Sequence, residues 1–274
     1  MIKYNEKQLE CITHPPAPLM IVAGAGTGKT ATIIGRICHL IKDRGIQPEN
    51  ILALTFTVKA ADNLKKRIMN VIGDEGQKVY AFNFHSFALE VILDNYHKLG
   101  YHSKPSIIEA NESRYLINEL INKNSSMFKS SEYRKRNPKA LEGVEKIFNQ
   151  ISNELISIDL LNNTKDNLDK SESRNEEDLQ RLDAINLFLS YKRLKEEKSW
   201  IDFGDMILGL SKLLENPTIL LSIRQNYKHL IIDEFQDNNF ALSRILERIS
   251  GKGGSITVVG DDDQSIYSFR GAHA

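Results

Sequence analysis

Cysteine is scarce in this 274-residue chain: only Cys11 and Cys38 occur, and their spacing fits no CxxC pair. That argues against a disulfide framework or a cysteine zinc site and suits a reducing compartment. Net charge is missing too, since 36 Lys and Arg balance 36 Asp and Glu. No global basic field therefore points to nucleic acid, and any such surface has to be local. No apolar run approaches the ~18 residues that a membrane span needs. The start, Met1-Ile2-Lys3-Tyr4-Asn5-Glu6, holds no apolar signal core. The expectation is a soluble, cytoplasmic protein with no membrane partner. Glycine nearly vanishes between 89 and 198, where only Gly100 and Gly143 occur.

Glycine is instead concentrated at Ala23-Gly24-Ala25-Gly26-Thr27-Gly28-Lys29-Thr30. The apolar run Leu19-Met20-Ile21-Val22 precedes it, and a helical pattern from Ala31 to Ile37 follows. Strand, tight loop and helix in that order are the setting of a phosphate-binding P-loop. Small residues let backbone N–H groups turn toward an anion, and the helix start adds unpaired N–H groups and a positive dipole end. Lys29 would reach the β- and γ-phosphates of a nucleotide, and the Thr30 hydroxyl would ligate Mg²⁺. Ala23 stands where the strict motif has Gly.

Other segments fit the same kind of domain. Asn5 to Ile12 reads as a short capped helix, with Asn5 as N-cap and Gln8 at the third helical position. Gln8 has two readings, half of a capping box or a side-chain amide that reads adenine. Ile51 to Thr57 reads as a buried parallel strand, Val58 to Ile72 as a helix, and Val79 to Asn83 as another strand ending at His85-Ser86-Phe87. Strands alternating with helices imply a doubly wound parallel sheet whose carboxyl edge is the working edge. Phe56 on that edge is either core or a face on which a base stacks. Lys228 to Glu234 reads as an apolar strand delivering Asp233 and Glu234 to the same edge. Asp233 would hold Mg²⁺ through its water shell, and Glu234 would orient or deprotonate the attacking water. Ser255 to Val259 is the last strand.

The stretch 89–198 is rich in Lys, Glu, Asn and Leu and carries helical periods, so it reads as an α-helical insertion. Within it, Asn162 to Asp178 reads as a long mobile loop. Lys129, Arg134, Lys135, Arg136 and Lys139 around Tyr133 form either a phosphate-backbone patch or a plain solvated loop.

Together these segments resemble the N-terminal part of a UvrD/Rep/PcrA-type superfamily 1 DNA helicase. Asn5 to Gln8 resembles the Q motif, Ala23 to Thr30 motif I, and Leu54 to Ala61 motif Ia, with Val58 where Asn is more usual. Phe84-His85-Ser86-Phe87 resembles motif Ib, and Asp202-Phe203-Gly204-Asp205 the element before motif II, with Gly204 where an acid is common. Asp233-Glu234-Phe235-Gln236-Asp237 resembles motif II, and Val259 to Ala272 motif III.

The resemblance implies an α/β fold: a RecA-like P-loop NTPase domain with a parallel sheet, interrupted by an α-helical insertion subdomain. The expected limits are 1–88 and 199–274 for the RecA-like domain 1A and 89–198 for the insertion 1B. ATP and Mg²⁺ are the implied cofactors. Residues 23–30 (Ala23, Gly24, Ala25, Gly26, Thr27, Gly28, Lys29, Thr30) would cradle the phosphates. Gln8 becomes the adenine reader, and Gln236 and Gln264 sense the γ-phosphate. Lys29, Glu234 and Gln264 would be catalytic, with Thr30 and Asp233 at the metal. Phe56, Thr57, His85, Tyr267 and Phe269 would lie along single-stranded DNA, near single-strand/duplex junctions.

The implied function is the ATP- and DNA-binding half of a 3′-to-5′ helicase or translocase. The sequence stops straight after motif III, so the family's second RecA-like domain is expected to be absent and the fragment poorly active alone. The helicase part of a recombination nuclease-helicase, or a non-motor nucleic-acid-binding P-loop module, are the alternatives. The sequence names no protein partner.

Overall fold

The computed structural model describes residues 3–124, 128–134, 138–171 and 173–261. These divide into two compact units: residues up to Glu90 together with those from Leu210 onward, and Val91–Gly209.

In the first unit, helix α1 (Glu6–Thr13) leads to strand β1 (Leu19–Val22), α2 (Lys29–Lys42), β2 (Ile51–Thr55), α3 (Val58–Ile72), β3 (Tyr80–Asn83) and α4 (Phe84–Asn95), which runs into the second unit. The five-stranded sheet has the order β1-β7-β6-β2-β3, with every neighbouring pair parallel. Strands β6 (His229–Ile232) and β7 (Ser255–Gly260) come from the far end of the chain, after α11 (Pro217–Asn226) and around α12 (Phe240–Ser250). The mixed α/β fold with a parallel sheet is the one the sequence leads to expect.

Burial follows strand position. Strands β2 and β6 lie inside the sheet and are buried at every residue, while no residue of the edge strand β3 is buried. That is why Ile51–Thr55 and His229–Ile232 read as continuous apolar runs rather than alternating ones. Helix α2 packs Ile33, Ile37 and Leu40 into the sheet core, and α3 adds Leu64 and Ile68 at helical spacing.

The second unit continues with β4 (Ser106–Ile107), α5 (Ala110–Lys123), α6 (Ser131–Arg134), α7 (Pro138–Asn153), α8 (Ile158–Lys170), α9 (Glu176–Lys198), β5 (Trp200–Ile201) and the start of α10 (Phe203–Leu213). Its core gathers Phe148, Phe188, Tyr191, Ile117, Ile121 and Val144. One expectation is corrected here. Asn162 to Asp178 is not one long loop: α8 occupies it up to Lys170 and α9 begins at Glu176. Ser157 caps α8 through the Leu160 N–H at 3.1 Å, and buried Leu161 anchors it with Ile158 and Leu168 packed beside the core, so a few apolar residues hold a helix that looks polar in sequence. Tyr133 is buried in the core and Lys129 ion-pairs with Asp169 at 2.8 Å, while the side chains of Arg134, Lys135, Arg136 and Lys139 lie outside the described residues.

The second unit runs to Gly209. Lys195 Nζ lies 2.6 Å from both Asp202 Oδ2 and Asp205 Oδ2, and the Tyr191 hydroxyl donates to Asp202 Oδ2 at 2.9 Å. Asp202 and Asp205 each accept the other's backbone N–H, at 2.9 and 3.2 Å, and so start α10. Gly204 sits tightly there, because a Cβ would lie 3.3 Å from Ser152 Oγ. Among the described residues no single helix is long and apolar enough to cross a membrane.

Candidate nucleotide-binding site

The sheet order explains the site. β7 lies between β1 and β6, so the loops after all three strands meet at one edge. Ala23 N donates to Gly260 O at 3.0 Å, which joins the P-loop to the end of β7. Asp233 N donates to Leu54 O at 3.0 Å, which joins the end of β6 to β2.

Within the P-loop, Gly24, Ala25, Gly26 and Thr27 are exposed, and the Thr27 hydroxyl donates to Gly24 O at 2.7 Å. Gly26 and Gly28 have φ of 74° and 92°, the left-handed region that other residues rarely adopt. Gly28 is also the N-cap of α2 and provides no side-chain cap. Thr32 N is the first amide of the helix to find an acceptor, Gly28 O at 2.9 Å. The N–H groups of Lys29, Thr30 and Ala31 are left for an anion at the positive end of the helix dipole.

Gln8 forms the capping box and also reaches the P-loop. Its Oε1 accepts Asn5 N at 2.9 Å and its N–H donates to Asn5 Oδ1 at 2.8 Å, a full capping box. Its Nε2 meanwhile donates to Thr27 O at 2.9 Å, so the amide rests on the P-loop. A Cβ at Gly28 would lie 2.7 Å from that Nε2, a second reason for glycine there.

Lys29 is 11 % exposed and points at carboxylates, 3.5 Å from Asp261 Oδ2 and 3.7 Å from Glu234 Oε2. Gln236 is buried and ties these groups together: its Nε2 donates to Glu234 Oε2 at 2.8 Å, and its Oε1 accepts Asp261 N at 3.0 Å. Glu234 has φ 53°, an uncommon value for a residue with a Cβ, which turns its side chain back toward Lys29. Asp261 falls in the motif III stretch, which the sequence brings to this edge, but its contact with Lys29 is not written there. Its signal, adjacency to the P-loop strand, exists only in the sheet order.

Asp233 is pushed up to about 6 by burial and by the Glu234 charge, against the pull of the Glu234 amide and Lys29. Its Oδ1 accepts Glu234 N at 3.0 Å, and no hydrogen bond reaches Oδ2 among the described residues. The Thr30 hydroxyl likewise has no partner there. A hard cation takes oxygen ligands of this kind, so the two side chains fit Mg²⁺. The described residues contain no group of three or more His, Cys, Asp or Glu side chains able to hold a metal unaided.

The raised pKa has a sign that can be checked. Folded Asp233 binds its proton more tightly than the unfolded carboxylate, so its burial costs stability above pH 6 and costs nothing below about pH 4. Asp233→Asn is expected to stabilise the chain at neutral pH by up to about 2 kcal/mol in urea unfolding, while abolishing Mg²⁺-dependent nucleotide binding. In the unaltered chain, Mg²⁺-dependent affinity should fall about tenfold per pH unit below pH 6. Calorimetric titrations across that range check it, and a flat profile would contradict a metal at Asp233.

The remaining expected residues are placed as follows. Phe56 is half-buried at the end of β2. Thr57 is exposed and caps α3, its hydroxyl accepting Ala60 N at 3.1 Å. His85 lies in the first turn of α4, where Asn83 Oδ1 accepts Ser86 N at 2.7 Å. All three follow strands of the edge that bears Asp233. Gln264, Tyr267 and Phe269 lie outside the described residues.

Fold and site thus define an α/β domain with a P-loop and two strand-end acids at the carboxyl edge of a parallel sheet. The sequence matches the UvrD/REP helicase N-terminal domain over residues 4–274, and the chain belongs to that family. It is 29 % identical over 271 residues to the ATP-dependent DNA helicase PcrA of Staphylococcus epidermidis, a match covering 98 % of this chain and 34 % of that protein. The PcrA of Staphylococcus aureus is 29 % identical over 269 residues with the same coverage. The chain therefore spans about a third of the length of these relatives.

Proposed function

We propose that this chain is the ATP-binding and single-strand DNA-binding part of an ATP-dependent DNA helicase that translocates 3′ to 5′, with 1A as the first unit and 1B as the second. The observation that carries the reading is Lys29 between Glu234 and Asp261 at the meeting point of β1, β6 and β7. A triphosphate on the loop amides would draw Lys29 from its carboxylates to the phosphates. Thr30 and Asp233 would hold Mg²⁺, which neutralises phosphate charge when bound. Glu234, freed from Lys29 and steadied by Gln236, would orient and deprotonate the attacking water. Phe56 would stack on a base, and Thr57 and His85 would meet the DNA backbone. Gln264, Tyr267 and Phe269 would couple the γ-phosphate to that strand.

Alone, the chain is expected to bind nucleotide and turn it over slowly. An arginine supplied from outside the site stabilises phosphoryl transfer by ~10³–10⁵ in related chemistry. The test is ATP turnover with and without a single-stranded oligonucleotide, using Glu234→Gln as the blank. Negligible turnover with retained binding of an ATP analogue is expected. DNA-stimulated turnover that Glu234→Gln removes would overturn the need for outside groups. DNA affinity indifferent to the ATP analogue would overturn the motor reading.

A further inference from the structure

Arg36 is 0 % exposed, yet none of its hydrogen-bond partners is a carboxylate. Its Nε donates to Thr257 Oγ1 at 2.7 Å. One terminal nitrogen donates to Cys11 O, Ile12 O and His14 O at 3.0, 3.4 and 2.9 Å, and the other to Pro15 O at 3.2 Å. These carbonyls belong to the last turn of α1 and the segment just after it, where a helix leaves its C=O groups without partners. α1 has no basic residue in its own last turn, so a cation from α2 supplies what its negative end lacks. The guanidinium is held by three elements: α2, which starts at Lys29; α1, which carries Gln8; and β7, which leads to Asp261.

α1 needs such a tie. It has eight residues, of which only Ile12 is buried, and so short a helix does not persist by itself. The neighbouring residue serves the same contact. A Cβ at Gly35 would lie 2.6 Å from Ile12 Cδ1 and 2.9 Å from the Tyr4 hydroxyl, so any side chain there would push on the residues that seat α1. The contact ends in the nucleotide site, because Gln8 Nε2 reaches Thr27 O only while α1 is docked.

We propose that Arg36 is a positioning residue for the base-reading end of the site: it docks α1 against the P-loop helix and β7, and thereby holds Gln8 beside the loop. Its effect on the nucleotide rests on the reading of Gln8 as the adenine reader; the docking of α1 does not. Lysine cannot replace it, because one ammonium cannot span from Thr257 to Pro15 as a planar fork does.

The test compares the unaltered chain with Arg36→Lys, Gly35→Ala, Gln8→Ala and the Arg36→Lys/Gln8→Ala pair. Two quantities are read: amide hydrogen exchange in α1 without nucleotide, and affinity for ATP against inorganic tripolyphosphate, which has no base. Arg36→Lys and Gly35→Ala are each expected to speed exchange in α1 and to lower ATP affinity about tenfold, with tripolyphosphate within about twofold. The double variant should lose no more than Gln8→Ala alone, since both changes remove the same contact. General loosening of the domain would instead weaken both ligands alike and overturn the proposal. Unchanged exchange in α1 would overturn it whatever the nucleotide data. If Gln8→Ala leaves the ATP-to-tripolyphosphate ratio unaltered, the base-reading role of Gln8 fails, and exchange alone decides whether Arg36 docks the helix. Gly35→Ala retains Arg36, so it reports on α1 docking even if Arg36→Lys fails to fold.

Discussion

Lys29→Ala is expected to lower Mg·ATP affinity by about 100-fold or more while leaving a folded chain. A unit charge about 4 Å from an opposite one is worth ~4 kcal/mol at the effective dielectric of a partly buried site, more than the 2.7 kcal/mol that 100-fold requires. The loss also exposes what Lys29 masks. Glu234 and Asp261 lie within 3.7 and 3.5 Å of its ammonium, and Asp233 precedes Glu234, so a triphosphate would approach three acids with no cation among them.

Stability should respond less. Glu234 is 40 % exposed on its side chain and water can solvate it, while Asp261 keeps its backbone tie to Gln236. A cost of about 1–2 kcal/mol is expected, mostly from the nearly buried Asp261. Titration calorimetry with a slowly hydrolysed ATP analogue measures the first effect, and urea unfolding the second. Unchanged binding would remove Lys29 from the phosphate site.

Lys195→Met is expected to cost about 3–5 kcal/mol, the largest stability effect of any single change proposed for this chain. Lys195 is 3 % exposed and is the cation shared by Asp202 and Asp205. Burial and Asp202 push Asp205 up to about 6, and only Lys195 and the Asp202 N–H oppose them. For Lys195 itself, burial works against the charge, yet the two carboxylates hold it above the usual lysine value.

Without the ammonium, two neighbouring carboxylates would stay buried side by side, which acid relieves by protonating one of them. Removing Lys195 raises the Asp205 carboxyl further, so the deficit of Lys195→Met against the unaltered chain should shrink as the pH falls toward 6, below which both chains carry the proton. Adding Asp205→Asn should recover much of it at neutral pH, because one acid then remains with the Tyr191 hydroxyl still bound to it. Urea unfolding at about pH 5 and pH 7.5 checks both statements. A cost under about 1 kcal/mol would mean that water enters the cluster.

What could be read from sequence depended on whether meaning was local. β1, α3 and the start of β7 lie where the apolar runs placed them, because buried parallel strands and an amphipathic helix are written in consecutive residues. The P-loop is local in the same way, since glycines and the helix start carry its geometry. Arg36 was not legible, and of Asp261 the place at the working edge could be read but not the contact with Lys29. Asp261 matters because β7 inserts between β1 and β6, and nothing near residue 261 states that order. Arg36 sits among Ile33, Ile34 and Ile37, where a charged residue reads as the solvated side of a helix, and its carbonyl partners leave no side-chain signature. α8 was missed for a different reason: its core-packed residues, Ile158, Leu161 and Leu168, are too sparse among polar neighbours to write a periodic pattern.

The pairing of β1 has a consequence for how the molecule is made. Its only strand partner among the described residues is β7, with Leu19 opposite Thr257, 238 positions later. A ribosome adding ~5–20 residues per second needs roughly 10–50 s to cover that interval. Through all of it the first strand waits unpaired, with the whole helical second unit emerging in between. The P-loop closes last, so a nascent chain should gain nucleotide binding abruptly once residue 260 has left the exit tunnel, and not gradually as it lengthens.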